Sequence, residues 1–94
     1  MKVEQFYNKN QFIIRDEENK KVYFQSYNST IAIYDRNTQT LTLGEDWDYS
    51  KTTLRHLYLF IEDETFFNLP EKNRKKHIEK LIADDTIKYH EDLK

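Results

Sequence analysis

From residue 21 to residue 43, apolar and polar positions alternate with the two-residue period of a β-strand, whereas 11–15 is favoured by its β-branched and aromatic residues and 2–7 alternates poorly. Leu41 and Leu43, for example, are separated by Thr42. Such alternation is typical of half-buried strands, because successive side chains point to opposite faces of a sheet. The predicted strands span 2–7, 11–15, 21–27, 30–35 and 40–43. Short polar stretches at 16–20 and 35–38 favour hairpin loops, so the pattern predicts an antiparallel meander of four to five strands.

The period becomes helical after residue 47. Apolar residues then recur at i, i+3, i+4 and i+7, the spacing that puts them on one face of an α-helix. These residues are Leu54, Leu57, Tyr58 and Ile61. Ser50 precedes them and is a good N-cap, because its side-chain oxygen can accept a hydrogen bond from the first turn. We predict a core helix over 47–63, with Trp47 and Tyr49 anchoring its start against the sheet.

Alternation also assigns each side chain of the sheet to a face. The face predicted to contact the helix carries Val22, Phe24, Ile31, Ile33, Leu41 and Leu43. The opposite face, predicted to be solvated and rich in tyrosine, carries Tyr23, Gln25, Tyr27, Ala32, Tyr34 and Thr42. Gly44 is the only glycine in the sequence, and we expect it to end the sheet with a backbone angle that other residues avoid.

The last third of the chain predicts a second helix over 70–84. Ile78, Leu81 and Ile82 share its apolar face, and Pro70 suits its first turn. Residues 86–89 favour either a last short strand or a docked tail within 86–94. Together the segments predict one α+β domain over 1–94: a β-meander over 1–44, a helix packed on one face of it, and a C-terminal helix.

Composition excludes several classes of function. The 94 residues include no cysteine, so neither a disulfide nor a thiolate metal site is available. The formal net charge of −2 provides no global basic field for nucleic acid. No apolar run reaches the about 20 residues of a membrane span, and the N-terminus lacks an apolar signal segment. We therefore expect a soluble cytoplasmic protein that does not bind membranes.

No residue pattern indicates an enzyme, a metal site or a cofactor. Asp46, Asp48 and Ser50 have the spacing that opens a calcium loop, but Lys51 replaces the loop's glycine. The three histidines lie far apart in the sequence, and no serine stands in a nucleophile elbow. With a single glycine, the chain lacks a phosphate-binding loop. We predict no catalytic residue, no metal and no cofactor.

The predicted binding groups are tyrosines and acids. Tyr23, Tyr27 and Tyr34 suit a protein interface, because a tyrosine ring provides contact area and a hydrogen bond at low entropic cost. Their alternative role is cross-strand pairing that only stabilises the sheet. A second predicted protein-binding surface is acidic and consists of Glu45, Asp46 and Asp48.

The strongest local positive charge lies in the predicted second helix. It consists of Arg74, Lys75, Lys76 and Lys80. This run could follow a phosphate backbone, which makes a small nucleic-acid-binding protein the alternative. Glu71 and Glu79 dilute the positive field, and a charged run on a helix is usually its solvated face. A homodimer is also compatible with the sequence, because an edge strand and a tyrosine-rich face both favour pairing.

Two segments resemble a known family. They are YFQSYNSTIA at 23–32 and WDYSKTT at 47–53, followed by Leu57, Tyr58 and Phe60. Together they resemble an uncharacterised family of small proteins carried by phages and mobile elements of Gram-positive bacteria, over roughly residues 11–61.

The resemblance implies a non-enzymatic accessory protein and brings no catalytic residues to this chain. By analogy with anti-CRISPR and other anti-defence proteins, the expected role is to inhibit a bacterial defence protein, for example a CRISPR effector. Inhibition would occur by occlusion of that protein's surface in the host bacterial cytoplasm. A nucleic-acid-binding protein and a structural subunit of a phage complex are the alternatives. The residues of these two segments can also be purely structural. In that case Gln25 and Ser26 bond across a strand, and Tyr49 with Ser50 sets the helix start.

Overall fold

The computed structural model describes residues 2–5, 10–27, 29–65 and 67–91. It contains a sheet and two helices. The strands are β1 (Lys2–Gln5), β2 (Gln11–Asp16), β3 (Lys21–Ser26), β4 (Ser29–Asp35), β5 (Thr40–Gly44) and β6 (Lys88–His90). The helices are α1 (Lys51–Glu64) and α2 (Arg74–Ala83). Residues 6 and 7 of the first predicted strand lie outside the described residues.

The strands lie in the sheet in the order in which they occur in the chain. β1 to β5 pair antiparallel with their neighbours, which confirms the predicted α+β meander. After both helices the chain returns to the sheet, and β6 pairs parallel with β5. Asp16 and Asp35 accept backbone N–H bonds from Asn19 and Asn37, so a side chain stabilises each predicted hairpin loop.

A β-bulge in β4 reverses part of the predicted facing. Phe24 pairs with Ala32 whereas Gln25 pairs with Thr30, so the ladder skips Ile31. The extra residue shifts the two-residue period of the rest of the strand. Ala32 and Tyr34 therefore point into the core, and Ile33, which was predicted to be inside, lies on the outer face and is half-buried.

The prediction of Tyr34 as an exposed binding residue is thus wrong. Its side chain is 2% exposed, and burial, partly offset by the Arg36 charge, raises the pKa of its hydroxyl above the ordinary value. Tyr34 pairs with Val22 and Leu41 across the sheet, both of which were predicted to face the helix and are buried. Its ring is part of the core between the sheet and α1.

Helix α1 covers the inner face of the sheet. The buried side chains on it are Thr53, His56, Leu57, Phe60 and Ile61. Leu54 and Tyr58, from the predicted apolar stripe, are half-buried at its border, so the covered face is rotated slightly from the prediction. The Phe60 ring stacks on the Phe24 ring with 5.8 Å between centroids, which fixes the helix over the centre of the sheet.

Helix α2 begins at Arg74, four residues later than the start predicted at Pro70. The residue before it, Asn73, has a left-handed backbone conformation with φ of 58°, so the helix cannot extend back towards Pro70. Ile78 is buried, whereas Leu81 and Ile82 are half-buried. Both outcomes left open for the tail occur: Ile87 is buried in the core, and residues 88–90 form β6.

Candidate functional site

The two segments that carry the family resemblance meet at one end of the sheet. Ser26, at the end of β3, lies beside Thr53 in the first turn of α1, with 3.3 Å between the two hydroxyl oxygens. Ser29, at the start of β4, donates a hydrogen bond of 2.9 Å to Oδ2 of Asp46. Residues far apart in the sequence therefore form one local surface.

An open cleft of about 610 Å³ lies at this junction. It is lined by Ser26, Tyr27, Ser29, Ile31, Asp46, Tyr49, Ser50, Thr52 and Thr53. Because five of these side chains are serine or threonine, we call it the hydroxyl cleft. The hydroxyls can form hydrogen bonds with a ligand, and Ile31, Tyr27 and Tyr49 add apolar surface to the same lining.

The start of α1 forms one wall of the hydroxyl cleft. Ser50 has the extended conformation of an N-cap, and its Oγ accepts the Thr53 N–H bond at 3.1 Å, as predicted. The same Oγ lies 3.1 Å from the Thr53 hydroxyl, which also contacts Ser26. This network holds the three hydroxyl groups in place, because each bonds to another group of the protein.

Two aromatic rings flank the hydroxyl cleft. Tyr27 is 53% exposed and Tyr49 is 73% exposed, so both rings lie largely in solvent. Trp47 is buried and anchors the start of α1 as predicted, but the same prediction for Tyr49 is wrong. The turn at 44–49, in which Tyr49 N–H bonds to the Asp46 carbonyl, directs the Tyr49 ring outwards. Tyrosines are enriched at protein interfaces, so two exposed rings beside a cleft are typical of a binding surface.

The surface around the hydroxyl cleft is negative. Asp46 is the charged member of the described lining. Glu45 and Asp48 of the same turn are exposed, and Glu91 follows β6. Desolvation raises the pKa of Tyr89, and the charges of these carboxylates raise it further, which indicates that they lie close together. The four contributing carboxylates are Glu91, Glu45, Asp48 and Asp46.

The structure separates the predicted protein-binding residues. Tyr27 and Asp46 line the hydroxyl cleft, and Glu45 and Asp48 are exposed beside it. Tyr23 lies on the outer sheet face, half-buried between Ile14 and Ile33 of the neighbouring strands. The sequence predicted the tyrosine face and the acidic surface as separate binding sites. In the structure, Tyr27 from the first and Asp46 from the second line the same cleft.

Several cleft residues were missed as candidate binding groups. Ser29, Thr52 and Tyr49 were not proposed, and Ser26 was interpreted as scaffold. The available signal was the density of hydroxyl and tyrosine side chains within both family segments. Behind the cleft, Gln11 pairs with Ser26 across β2 and β3, is fully buried, and has no hydrogen-bond partner for its amide among the described residues.

Two of the four predicted basic residues, Arg74 and Lys75, lie close to acidic side chains. The Arg74 guanidinium lies 5.6 Å from the Tyr58 ring centroid and 3.9 Å from the Glu62 carboxylate. Lys75 lies 3.5 Å from the Asp48 carboxylate. The other two predicted residues, Lys76 and Lys80, are exposed. Helix α2 therefore presents less free positive charge than its sequence indicates.

Within the described ranges, no three His, Cys, Asp or Glu side chains are grouped so that they could hold a metal ion. His56 is buried, and its Nδ1 lies 2.8 Å from the Thr52 carbonyl oxygen, so that ring nitrogen is occupied by the backbone. Neither helix of the described chain has the length and apolar character needed to cross a bilayer.

The family model of a family of unknown function, DUF8033, matches residues 1–80. The match includes both resembling segments and every described residue that lines the hydroxyl cleft. No curated protein and no solved structure matches the chain.

Proposed function

We propose that this chain, which belongs to the DUF8033 family of unknown function, is a non-enzymatic protein-binding accessory protein that engages its partner through the hydroxyl cleft. One observation carries the proposal: the segments 23–32 and 47–53, distant in sequence, converge on one open cleft beside the two aromatic rings that are most exposed among the described residues.

The chemistry of the hydroxyl cleft suits a protein segment. The hydroxyls of Ser26 and Thr53 are buried, whereas those of the half-buried Ser29, Ser50 and Thr52 can accept hydrogen bonds from the amide groups of a peptide. Tyr27 and Tyr49 add apolar area that a partner can bury, and tyrosine is enriched among residues that dominate binding energy. The volume of about 610 Å³ is in the range of sites that enclose a ligand or several side chains.

The outer sheet face supports the proposal less well. Of its three predicted tyrosines, Tyr34 is buried in the core and Tyr27 belongs to the hydroxyl cleft. Tyr23 remains, and its half-buried ring lies in register with Ile14 and Ile33. That arrangement fits the cross-strand pairing that stabilises a sheet.

The identity of the partner rests on the family resemblance. A phage or mobile-element protein of this size that binds a bacterial defence protein, for example a CRISPR effector, would inhibit it by covering a surface that the effector needs. We propose this anti-CRISPR-like role in the bacterial cytoplasm by analogy. A nucleic-acid-binding protein that uses α2, a structural phage subunit and a homodimer are the competing assignments.

The test is capture of partners from a bacterial lysate by the tagged protein and two variants. Tyr27→Asn with Tyr49→Ser removes both rings, and asparagine tolerates the positive φ of 55° at position 27. Tyr23→Ser is the matched control on the outer face. We expect mass spectrometry to identify a protein retained by the wild type and the control and lost by the double variant.

The opposite pattern, with loss only in Tyr23→Ser, would place the interface on the outer face. Loss in Lys75→Glu with Lys76→Glu, together with steep weakening by salt, would favour the nucleic-acid assignment, because each neutralised phosphate releases counterions. Circular dichroism of all variants establishes that the fold is retained.

A further inference from the structure

We infer that the hydroxyl cleft takes a cationic side chain, arginine in preference to lysine, from an extended segment of the partner. The inference rests on the proposed function and specifies the chemistry of the ligand. Three features support it: the charge of the lining, the two flanking rings, and the way in which the helix start is already occupied.

The charge of the lining favours a cation. Asp46 is half-buried and oriented by the hydrogen bond that Ser29 donates to Oδ2. Glu45, Asp48 and Glu91 add negative charge nearby, of which Lys75, 3.5 Å from the Asp48 carboxylate, offsets a part. A cation that enters the cleft therefore gains Coulomb energy from several carboxylates at once.

The flanking rings distinguish arginine from lysine. A guanidinium group is planar, weakly hydrated and stacks on tyrosine faces, and it can also donate two bonds to a carboxylate. Elsewhere in the described chain, the Arg74 guanidinium lies 5.6 Å from the Tyr58 ring centroid and 3.9 Å from the Glu62 carboxylate, which shows the same pairing of ring and carboxylate around an arginine. The hydroxyl cleft offers rings and a carboxylate with no arginine of its own in the described lining.

An anion is the competing ligand, because the start of a helix attracts negative charge. Here, however, the Ser50 side chain already accepts the backbone N–H bond of Thr53. A phosphate or carboxylate would also lie against Asp46. The helix start therefore holds the hydroxyl groups in place, and the Asp46 carboxylate beside it repels an anion.

The size of the cleft indicates more than one side chain. About 610 Å³ is larger than an arginine side chain, so residues flanking the arginine also enter. Their amide groups can bond to the half-buried hydroxyls of Ser29, Ser50 and Thr52. The partner segment is therefore extended and basic, with the arginine between Tyr27, Tyr49 and Asp46.

The experiment titrates the full chain with synthetic peptides and follows backbone amide NMR signals. Three probes share the sequence Gly-Ser-X-Ser-Gly with blocked ends, where X is arginine, lysine or citrulline. Citrulline matches arginine in shape and lacks its charge. We expect signals of residues that line the hydroxyl cleft to shift, with affinity highest for arginine and at least tenfold lower for citrulline.

Asp46→Asn should weaken arginine-peptide binding at least tenfold, since asparagine keeps an acceptor for Ser29 and loses the charge. Glu17→Gln is the matched control, because Glu17 is exposed in the hairpin at the far end of β3. Equal binding of arginine and citrulline, unchanged binding by Asp46→Asn, or tighter binding of a phosphoserine peptide would overturn the inference. If the ring variants still lose the captured partner in that case, the proposed function stands and only the ligand class is wrong.

Discussion

At the scale of single residues, the turns of this protein use almost no glycine. Five described residues other than glycine have positive φ values: Lys20, Tyr27, Gln39, Asn73 and Asp85. Gly44 does not, so the expectation of an unusual backbone angle there is wrong. Gly44 is buried and pairs with His90 of β6, so its lack of a side chain suits a crowded position between two strands. The sequence contains the glycine, but its role depends on a strand 44 residues later.

Substitution by glycine at positions with positive φ should raise the free energy of unfolding. A residue with a Cβ atom is strained in the left-handed region by about 1 kcal/mol, whereas glycine is not. Gln39 has a φ of 55° in the exposed loop before β5. Gln39→Gly should therefore raise the free energy of unfolding by about 1 kcal/mol in urea denaturation. Gln39→Ala, which keeps Cβ, is the control, and an equal gain in both variants would contradict the strain argument.

At the scale of elements, α1 is held at both ends by different means. Ser50 caps its start locally, as its sequence predicts. Its end is acidic, which opposes the helix dipole, and it has no basic residue in the last turn. Instead, Glu64 is bonded by Arg15 of β2 at 2.8 Å and lies 3.6 Å from Arg36, which follows β4. Two arginines from the sheet thus compensate the charge and fix the helix end.

Removing this charge should loosen the end of α1. Glu64 has only 8% of its side chain exposed, so its bonds to arginine are shielded from water. Glu64→Gln should lower the free energy of unfolding by about 2 kcal/mol, the usual value for hydrogen bonds to charged groups. Glu62→Gln, in the same turn but 44% exposed, should change it by less than about 1 kcal/mol. Similar losses in the two variants would show that the arginine contacts stabilise little.

At the scale of the whole molecule, β6 adds an edge strand to the sheet that β1 to β5 form. Thr86 and Ile87 both donate backbone hydrogen bonds to the Leu81 carbonyl, which turns the chain sharply after α2. Ile87 then fills the core, and β6 covers the edge of β5 that the meander would leave open. The pairing of β6 with β5 places Glu91 and Tyr89 beside the acidic turn of the hydroxyl cleft.

Ile87 should therefore stabilise the fold and not only its own strand. It is fully buried, and truncating such a side chain leaves a cavity that costs about 3 kcal/mol. Ile87→Ala should lower the stability by that amount and speed hydrogen exchange of the β5 and β6 amides. The control is Lys88→Ala, because Lys88 is exposed and its ion pair with Asp85 contributes little. Unchanged exchange in β5 would indicate that β6 does not protect the edge.

The candidate site was predictable only in parts. Tyr27 and Asp46 were chosen for their chemistry and do line the hydroxyl cleft. Tyr34 was chosen on the same grounds and is buried, because a single bulged residue at Ile31 reverses the facing that follows it. Tyr49 was expected to be an anchor and is the more exposed of the two rings beside the cleft. Residue type identified the binding groups, but register and turn geometry decided which of them reach solvent.

The sequence by itself determined the meander, the core helix and its cap, and the second helix within a few residues, since these depend on local periodicity and on side chains that bond to nearby backbone. Only the tertiary structure decided which face Tyr34 and Ile33 occupy, how Glu64 is neutralised and where the tail docks. It alone brought Ser26 to Thr53 and Ser29 to Asp46. Contacts between distant residues depend on the packing of the complete chain, and no local pattern encodes them.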